Sequence, residues 1–299
     1  MSAFACRLCP RLCGADRETA LGRCHSGREI RVARAALHHW EEPPVSGERG
    51  SGAVFFTGCP LGCVYCQNYE ISTGGQPGRA VTPAGLSRIF SRLAGEGAHN
   101  INLVTPTHFV PGIRQALLLE KLPVPVVYNT AGYERVETLR SLEGLVDVYL
   151  PDYKYAESGL AGALSGAGDY PGTALAAIKE MVRQVGPPVY DSRGLLVRGV
   201  LIRHLILPGH TKNSIAALEC IARTFPGVPV SLMAQYTPWG LAKQPGGVPG
   251  YPELSRPITR RELEKVQEAL FSLGLDGFVQ SRNARGAEYI PDFKEGAGL

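Results

Sequence analysis

From residue 52 onward, short apolar runs rich in β-branched and aromatic residues alternate with amphipathic stretches. This alternation constrains the fold more than any other feature of the chain. Strands are predicted over residues 53–56, 101–105, 124–129, 145–150, 199–207, 228–235 and 277–280. Between them, residues 82–97, 133–142, 173–186, 213–225 and 259–274 set apolar side chains at helical spacing. Thr82, followed by Pro83, and Thr259 stand where N-caps belong, because a hydroxyl there accepts from the unpaired amides of a first turn. Strands joined through helices need crossovers, and crossovers make parallel sheet. The expectation is an α/β fold of six or seven βα units, with no internal repeat. The pattern alone fits a full or incomplete (β/α) barrel and a doubly wound sheet equally.

Directly after the first strand, 58-GCPLGCVYCQN-68 carries Cys59, Cys63 and Cys66 in the spacing C-x3-C-x2-C. Thiolates hold iron–sulfur clusters, and a cubane [4Fe-4S] cluster ordinarily takes four. Three clustered thiols leave one iron without a protein ligand, open to bind and reduce a small molecule. A zinc site wants four closed ligands, commonly as separated pairs, which one tight run does not supply. The remaining alternative is a structural cluster completed by Cys220. That residue lies where Ile215, Leu218, Ile221 and Phe225 mark a buried helical face, a usual setting for cysteine as a small hydrophobe. The open cluster is the favoured reading.

Four further cysteines, Cys6, Cys9, Cys13 and Cys24, fall in an N-terminal arm, residues 1–48, that ends in a turn-rich stretch. Residues 49–299 are read as the barrel. Four thiols this close can complete a tetrahedral site and fold a segment too small for its own core. Zinc is the favoured metal, with a second iron–sulfur cluster as competitor, since four thiolates satisfy a cubane equally well. Residues 1–34 also hold seven arginines against three acidic residues, which accounts for the whole formal charge of +4. We read this excess as an offset to thiolate charge rather than a nucleic-acid patch, so no nucleic-acid partner is expected. Cysteines clustered in this way suit metal ligation in a reducing cytosol better than disulfides. With no apolar run of membrane-spanning length, a cytoplasmic protein without a membrane partner is expected.

In βα barrels the chemistry sits at the carboxyl ends of the strands. Those ends here offer the three cysteines, Thr105, Thr107 and His108, Asn129 and Thr130, Asp152 and Lys154, Gln235 and Tyr236, and Gln280 and Ser281. Arg203 and His204 fall within one strand and point to opposite faces, so only one enters the lumen.

Longer blocks carry a family resemblance: 6-CRLCPRLCGADR-17, 38-HHWEEPPVSGERGSGAVFFTGCPLGCVYCQNYEIS-72, 97-GAHNINLVTPTH-108, 127-VYNTAGYE-134, 148-VYLPDYKY-155 and 202-IRHLILPG-209. With these the chain resembles the radical S-adenosylmethionine proteins homologous to pyruvate formate-lyase activating enzyme, in the subgroup with an extra cysteine arm. The resemblance implies an incomplete (β/α)6 barrel in which Cys59, Cys63 and Cys66 ligate three irons and S-adenosylmethionine chelates the fourth. It implies that the backbone at Tyr65 meets the adenine and that Arg203 lies near the cofactor. Where the activating enzymes use Gly-Gly-Glu for the methionyl amine, this chain reads Val104-Thr105-Pro106-Thr107, which leaves Thr105 and Thr107 as substitutes. The family's Asp-x-Lys motif is retained as Asp152 and Lys154. Asp152 is expected beside Asn129, with a monovalent cation or the Lys154 ammonium bridging it to the cofactor carboxylate.

The stretch 38–44 admits two readings: His38, His39, Glu41 and Glu42 as substrate or metal contacts, or a segment docking the arm on the barrel. Docking is favoured, because adjacent histidines on an extended chain diverge. The function expected from the resemblance is reductive cleavage of S-adenosylmethionine and hydrogen abstraction from a substrate. A glycine of a partner glycyl-radical protein is the favoured target. The alternatives are a peptide or small metabolite, or a non-catalytic electron carrier. No cysteine lies between 66 and 220, so electrons are expected from an external flavodoxin or ferredoxin unless the arm carries iron.

Overall fold

The computed structural model describes residues 5–75, 77–280 and 293; Ser281, named above, lies outside them. Its strands are β1 (Ile30–His38), β2 (Ser51–Phe56), β3 (Arg79–Val81), β4 (Ile101–Val104), β5 (Val126–Thr130), β6 (Val148–Pro151), β7 (Val189–Tyr190), β8 (Leu196–Val200), β9 (Ile202–Leu205), β10 (Val230–Met233) and β11 (Gly277–Val279). β2, β4, β5 and β6 pair in parallel in that order. β6 then pairs with β8, and beyond Leu201 the Asp152–Arg203 bridge carries the pairing onto β9. β9, β10 and β11 continue in parallel. The result is an α/β fold built on an incomplete barrel, with short β11 at one edge and antiparallel β1 and β3 at the other.

Each predicted strand lies on this sheet, and the predicted caps form. Thr82 accepts from the Gly85 amide at 3.1 Å at the start of helix Pro83–Gly95. Thr259 and Glu262 make a reciprocal capping box for helix Arg260–Ser272. Leu86, Phe90 and Leu93, at helical spacing, are fully buried against the sheet; a phenylalanine so placed is worth about 3–5 kcal/mol against alanine. No helix among the described residues is long and apolar enough to cross a membrane.

Three features depart from the sequence expectation. Residues 30–38, assigned to an irregular arm, form β1, the longest strand, paired along its length with β2. A register shift between Val32 and Arg34 breaks its two-residue alternation, which hides it from pattern reading. Helices Val110–Leu119 and Ser158–Ser165 were not predicted; Pro111 and Gly112 in the first and two glycines in the second weaken their local signal.

The third departure concerns the stretch after β1. Helix Pro43–Ser46 enters the barrel, where Val45 packs with Val127, Val148, Leu150, Leu196 and Leu201 from the strands' inner faces. Asn100 holds this plug by donating to the Val45 carbonyl at 2.8 Å. Docking is thus only part of its role, since it also carries Glu41 and Glu42 into the barrel.

Candidate functional site

Above the plug, at the carboxyl ends of the parallel strands, lies a cavity of about 910 Å³. Its wall takes Cys59, Cys63, Tyr65 and Cys66 from the loop after β2, Thr105 from β4, Asn129 and Thr130 from β5, and Asp152 and Lys154 from β6. Arg203, Gln235, Tyr236 and Gln280 complete it from β9, β10 and β11. The two-residue period that sends Arg203 inward turns His204 outward. His204 is fully buried, its Nδ1 2.6 Å from the Tyr153 carbonyl, and burial lowers its pKa to about 4, so it stays neutral.

Arg203 organises the polar floor. Its Nε donates to Asp152 Oδ1 at 2.9 Å, Nη2 to Asn129 Oδ1 at 2.5 Å, and Nη1 to Glu41 Oε2 at 3.3 Å. Lys154 Nζ donates to Asp152 Oδ2 at 2.5 Å. Burial works against the Asp152 carboxylate, but these two cations outweigh it and hold its pKa below the usual carboxylate range. Asp152 and Asn129 stand side by side on Arg203, with the Lys154 ammonium on the aspartate.

Glu41 is the site residue that sequence reasoning set aside. Its Oε1 accepts from Asn102 at 2.9 Å and from Asn129 at 3.2 Å. Glu42, beside it, is 1% exposed, and its Oε2 has no partner among the described residues. Burial raises both carboxyls, only partly offset by Arg203. Three carboxylates thus face two cations in a desolvated space.

Thr107 does not reach the cavity. The turn Thr107–Phe109 swings it under the strand end, where its hydroxyl donates to Glu134 Oε1 at 2.5 Å. Glu134 also accepts from Thr130 at 2.6 Å, and burial raises its carboxyl to about 7. Thr105 does line the cavity, and its φ of 58° is a left-handed conformation that β-branched residues avoid. Such strain costs about 1–3 kcal/mol and gathers where backbone is shaped for function. The Tyr65 ring packs on Tyr236, and its hydroxyl pairs with that of Tyr155 at 2.6 Å.

The donor set of the loop fits an iron–sulfur cluster better than a single ion. Burial and neighbouring thiol charge raise Cys59 well above its ordinary value and Cys66 to about 11, so thiolates there need a cationic partner. Ser165 donates to Cys63 Sγ at 2.9 Å and Ser72 to Cys66 Sγ at 3.3 Å. Among the described residues no three His, Cys, Asp or Glu side chains converge to hold one metal ion. Thiolates on a cubane need no such convergence, because each binds a different iron. Cys220, the alternative fourth ligand, sits on helix Thr211–Thr224 outside the cavity, accepting from the Tyr153 hydroxyl at 3.6 Å.

The arm cysteines are mutual neighbours: a side chain at Gly22 would lie 3.4 Å from Cys24 Sγ and 3.5 Å from Cys13 Sγ. They do not close on one point as tetrahedral zinc requires. Burial raises Cys9 to about 12 and also raises Cys24. The arm abuts the cysteine loop directly, with the Cys59 amide donating to the Cys24 carbonyl at 3.2 Å. Gly58 permits this approach; at its φ of 83° a Cβ would overlap Ser26 Oγ and the Cys24 carbonyl. The arm's arginines do more than offset charge. Arg11 Nε donates to Pro60 O at 2.8 Å and Nη2 to Ser165 O at 3.0 Å, while Arg17 donates to His108 O at 2.5 Å.

No protein-family model matches the chain. An uncharacterized protein from Methanocaldococcus jannaschii is 29% identical over 280 residues, covering 91% of this chain and 75% of its own. Among solved structures, a radical SAM methyltransferase from Sphaerobacter thermophilus superimposes with a TM-score of 0.51 at 18% identity. The match covers 77% of this chain and 66% of the methyltransferase, so the two share a fold over that region.

Proposed function

We propose that the chain is a radical S-adenosylmethionine enzyme. The observation that carries this reading is the convergence of three thiols, Cys59, Cys63 and Cys66, with the Asp152–Arg203–Asn129 network on one cavity at the strand ends. Cys59, Cys63 and Cys66 would hold a [4Fe-4S] cluster, which would supply the electron for reductive cleavage of S-adenosylmethionine and so for hydrogen abstraction from a substrate. The chain's own residues position the cofactor. Lys154 and Arg203 offer cations to the methionyl carboxylate, the Thr105 turn offers backbone and hydroxyl acceptors to the amine, and Tyr65 and Tyr236 bound the adenine side. A monovalent cation beside Asp152 and Asn129 belongs to the same proposal.

The cavity, near the upper end of the ordinary range for ligand pockets, leaves space beside one cofactor molecule. That room supports a substrate admitted as a chain segment, in keeping with the activator reading in which a partner protein loses a glycine α-hydrogen. Electrons come from an external flavodoxin or ferredoxin. Reconstituted anaerobically with iron and sulfide and then reduced, the protein is expected to release 5′-deoxyadenosine and methionine in equal amounts from S-adenosylmethionine. A four-iron protein that releases neither is an electron carrier, and the enzyme reading fails.

For the arm we propose a structural metal on Cys6, Cys9, Cys13 and Cys24, zinc by preference, since four thiolates complete its shell and leave no open position once the sulfurs draw together on binding it. Metal analysis of a Cys59/Cys63/Cys66 triple-alanine variant isolates this site. About one zinc per chain is expected. Four irons with four sulfides would replace zinc with a second cluster, one hydrogen bond from the Cys59 backbone.

A further inference from the structure

Two residues of the cavity wall, Tyr65 and Cys63, are joined behind it by two others, and the four side chains form a continuous line. The Tyr65 hydroxyl lies 2.6 Å from that of Tyr155, which lies 2.7 Å from Ser165 Oγ, which lies 2.9 Å from Cys63 Sγ. All three hydroxyl residues are buried, at 6%, 0% and 1% exposure, so water does not compete for these bonds. Neither Tyr155 nor Ser165 lines the cavity. Ser165 is the last residue of helix Ser158–Ser165, and Arg11 holds that helix end by donating to the Ser165 carbonyl.

Each hydroxyl owns one proton, and a thiolate only accepts. With Cys63 deprotonated, the Ser165 proton points at sulfur. The lone pairs of Ser165 then accept from Tyr155, and those of Tyr155 accept from Tyr65. The thiolate end sets the direction of every bond, and bonds aligned head to tail polarise one another.

We infer that Tyr65, Tyr155 and Ser165 form a one-way donor chain that raises the reduction potential of the cluster held by Cys63. A donor to a cluster sulfur favours the more negative, reduced state over the oxidised one, one of the protein's main levers on such potentials. Ser72, donating to Cys66 at 3.3 Å, adds a second and longer donor, while Cys59 receives no side-chain hydroxyl among the described residues. These are positioning residues: they touch a ligand of the cluster and not the substrate.

The inference rests on the proposed cluster, and the experiment separates the two. The readout is the midpoint potential of the reconstituted full-length protein without S-adenosylmethionine, titrated by electron paramagnetic resonance. Ser165→Ala should shift the reduced-to-oxidised ratio at fixed potential about tenfold toward oxidised, which is ~59 mV for one electron. Ser165→Thr, which keeps the hydroxyl, should restore the wild-type midpoint. Tyr155→Phe should shift it in the same direction by less, and it carries the test if Ser165→Ala loads no iron. Unchanged potential at full iron content in Ser165→Ala overturns the inference, and an unchanged potential in Tyr155→Phe overturns the chain. A wild-type protein that takes up no four-iron cluster overturns the functional reading and this inference with it.

Discussion

Replacing any one of Cys59, Cys63 and Cys66 with alanine is expected to reduce both cluster absorbance and 5′-deoxyadenosine formation to background, while Cys220→Ala leaves both at wild-type levels. Two thiolates cannot hold a cubane against loss of iron, and burial has already made free thiolates in this loop unfavourable. Cys220 is the internal control. Its sulfur, on helix Thr211–Thr224, accepts from Tyr153 outside the cavity that the three loop thiols line. Iron and sulfide analysis with visible absorption reads the first effect, and chromatography of the quenched reaction reads the second. A cluster lost in Cys220→Ala would identify a fourth protein ligand. It would close the open iron and remove the basis for cofactor cleavage.

What was readable from sequence was what local pattern controls. Alternating strands and helices set the parallel order of β2, β4, β5 and β6, and the barrel rule then brought Asn129, Asp152, Lys154 and Arg203 to one end. The misses are residues whose roles depend on tertiary placement. Glu41 matters because Val45 inserts into the barrel and draws its neighbours in, which no periodicity encodes. Thr107 looks equivalent to Thr105 in sequence, but one 3₁₀ turn sends its hydroxyl to Glu134 instead. β1 escaped because a bulge breaks its alternation, and the arm's arginines read only as an offset to thiolate charge because their partners are main-chain carbonyls far along the chain.

Arg203→Met is expected to destabilise the protein by about 3–5 kcal/mol, the cost of stranding buried charge when one partner is removed. Asp152 keeps Lys154, so the loss falls mainly on Glu41 and Glu42, whose pKa values are already raised by burial and would rise further without the guanidinium. A carboxyl whose folded pKa lies above its unfolded value contributes stability that is complete below the unfolded pKa, near 4.5, and is lost as pH rises through the folded one. The gap between wild type and variant should therefore be small near pH 4.5 and widen toward neutrality, read by urea unfolding at a series of pH values. Adding Glu41→Gln to the variant should recover part of the loss at neutral pH, because a neutral amide no longer needs the cation. Arg203→Lys should recover less than its charge suggests, since one ammonium cannot reach Asp152, Asn129 and Glu41 in the planar arrangement the guanidinium makes. A gap that stays flat with pH would mean that Arg203 acts by packing alone, and that Glu41 and Glu42 are held by something other than its charge.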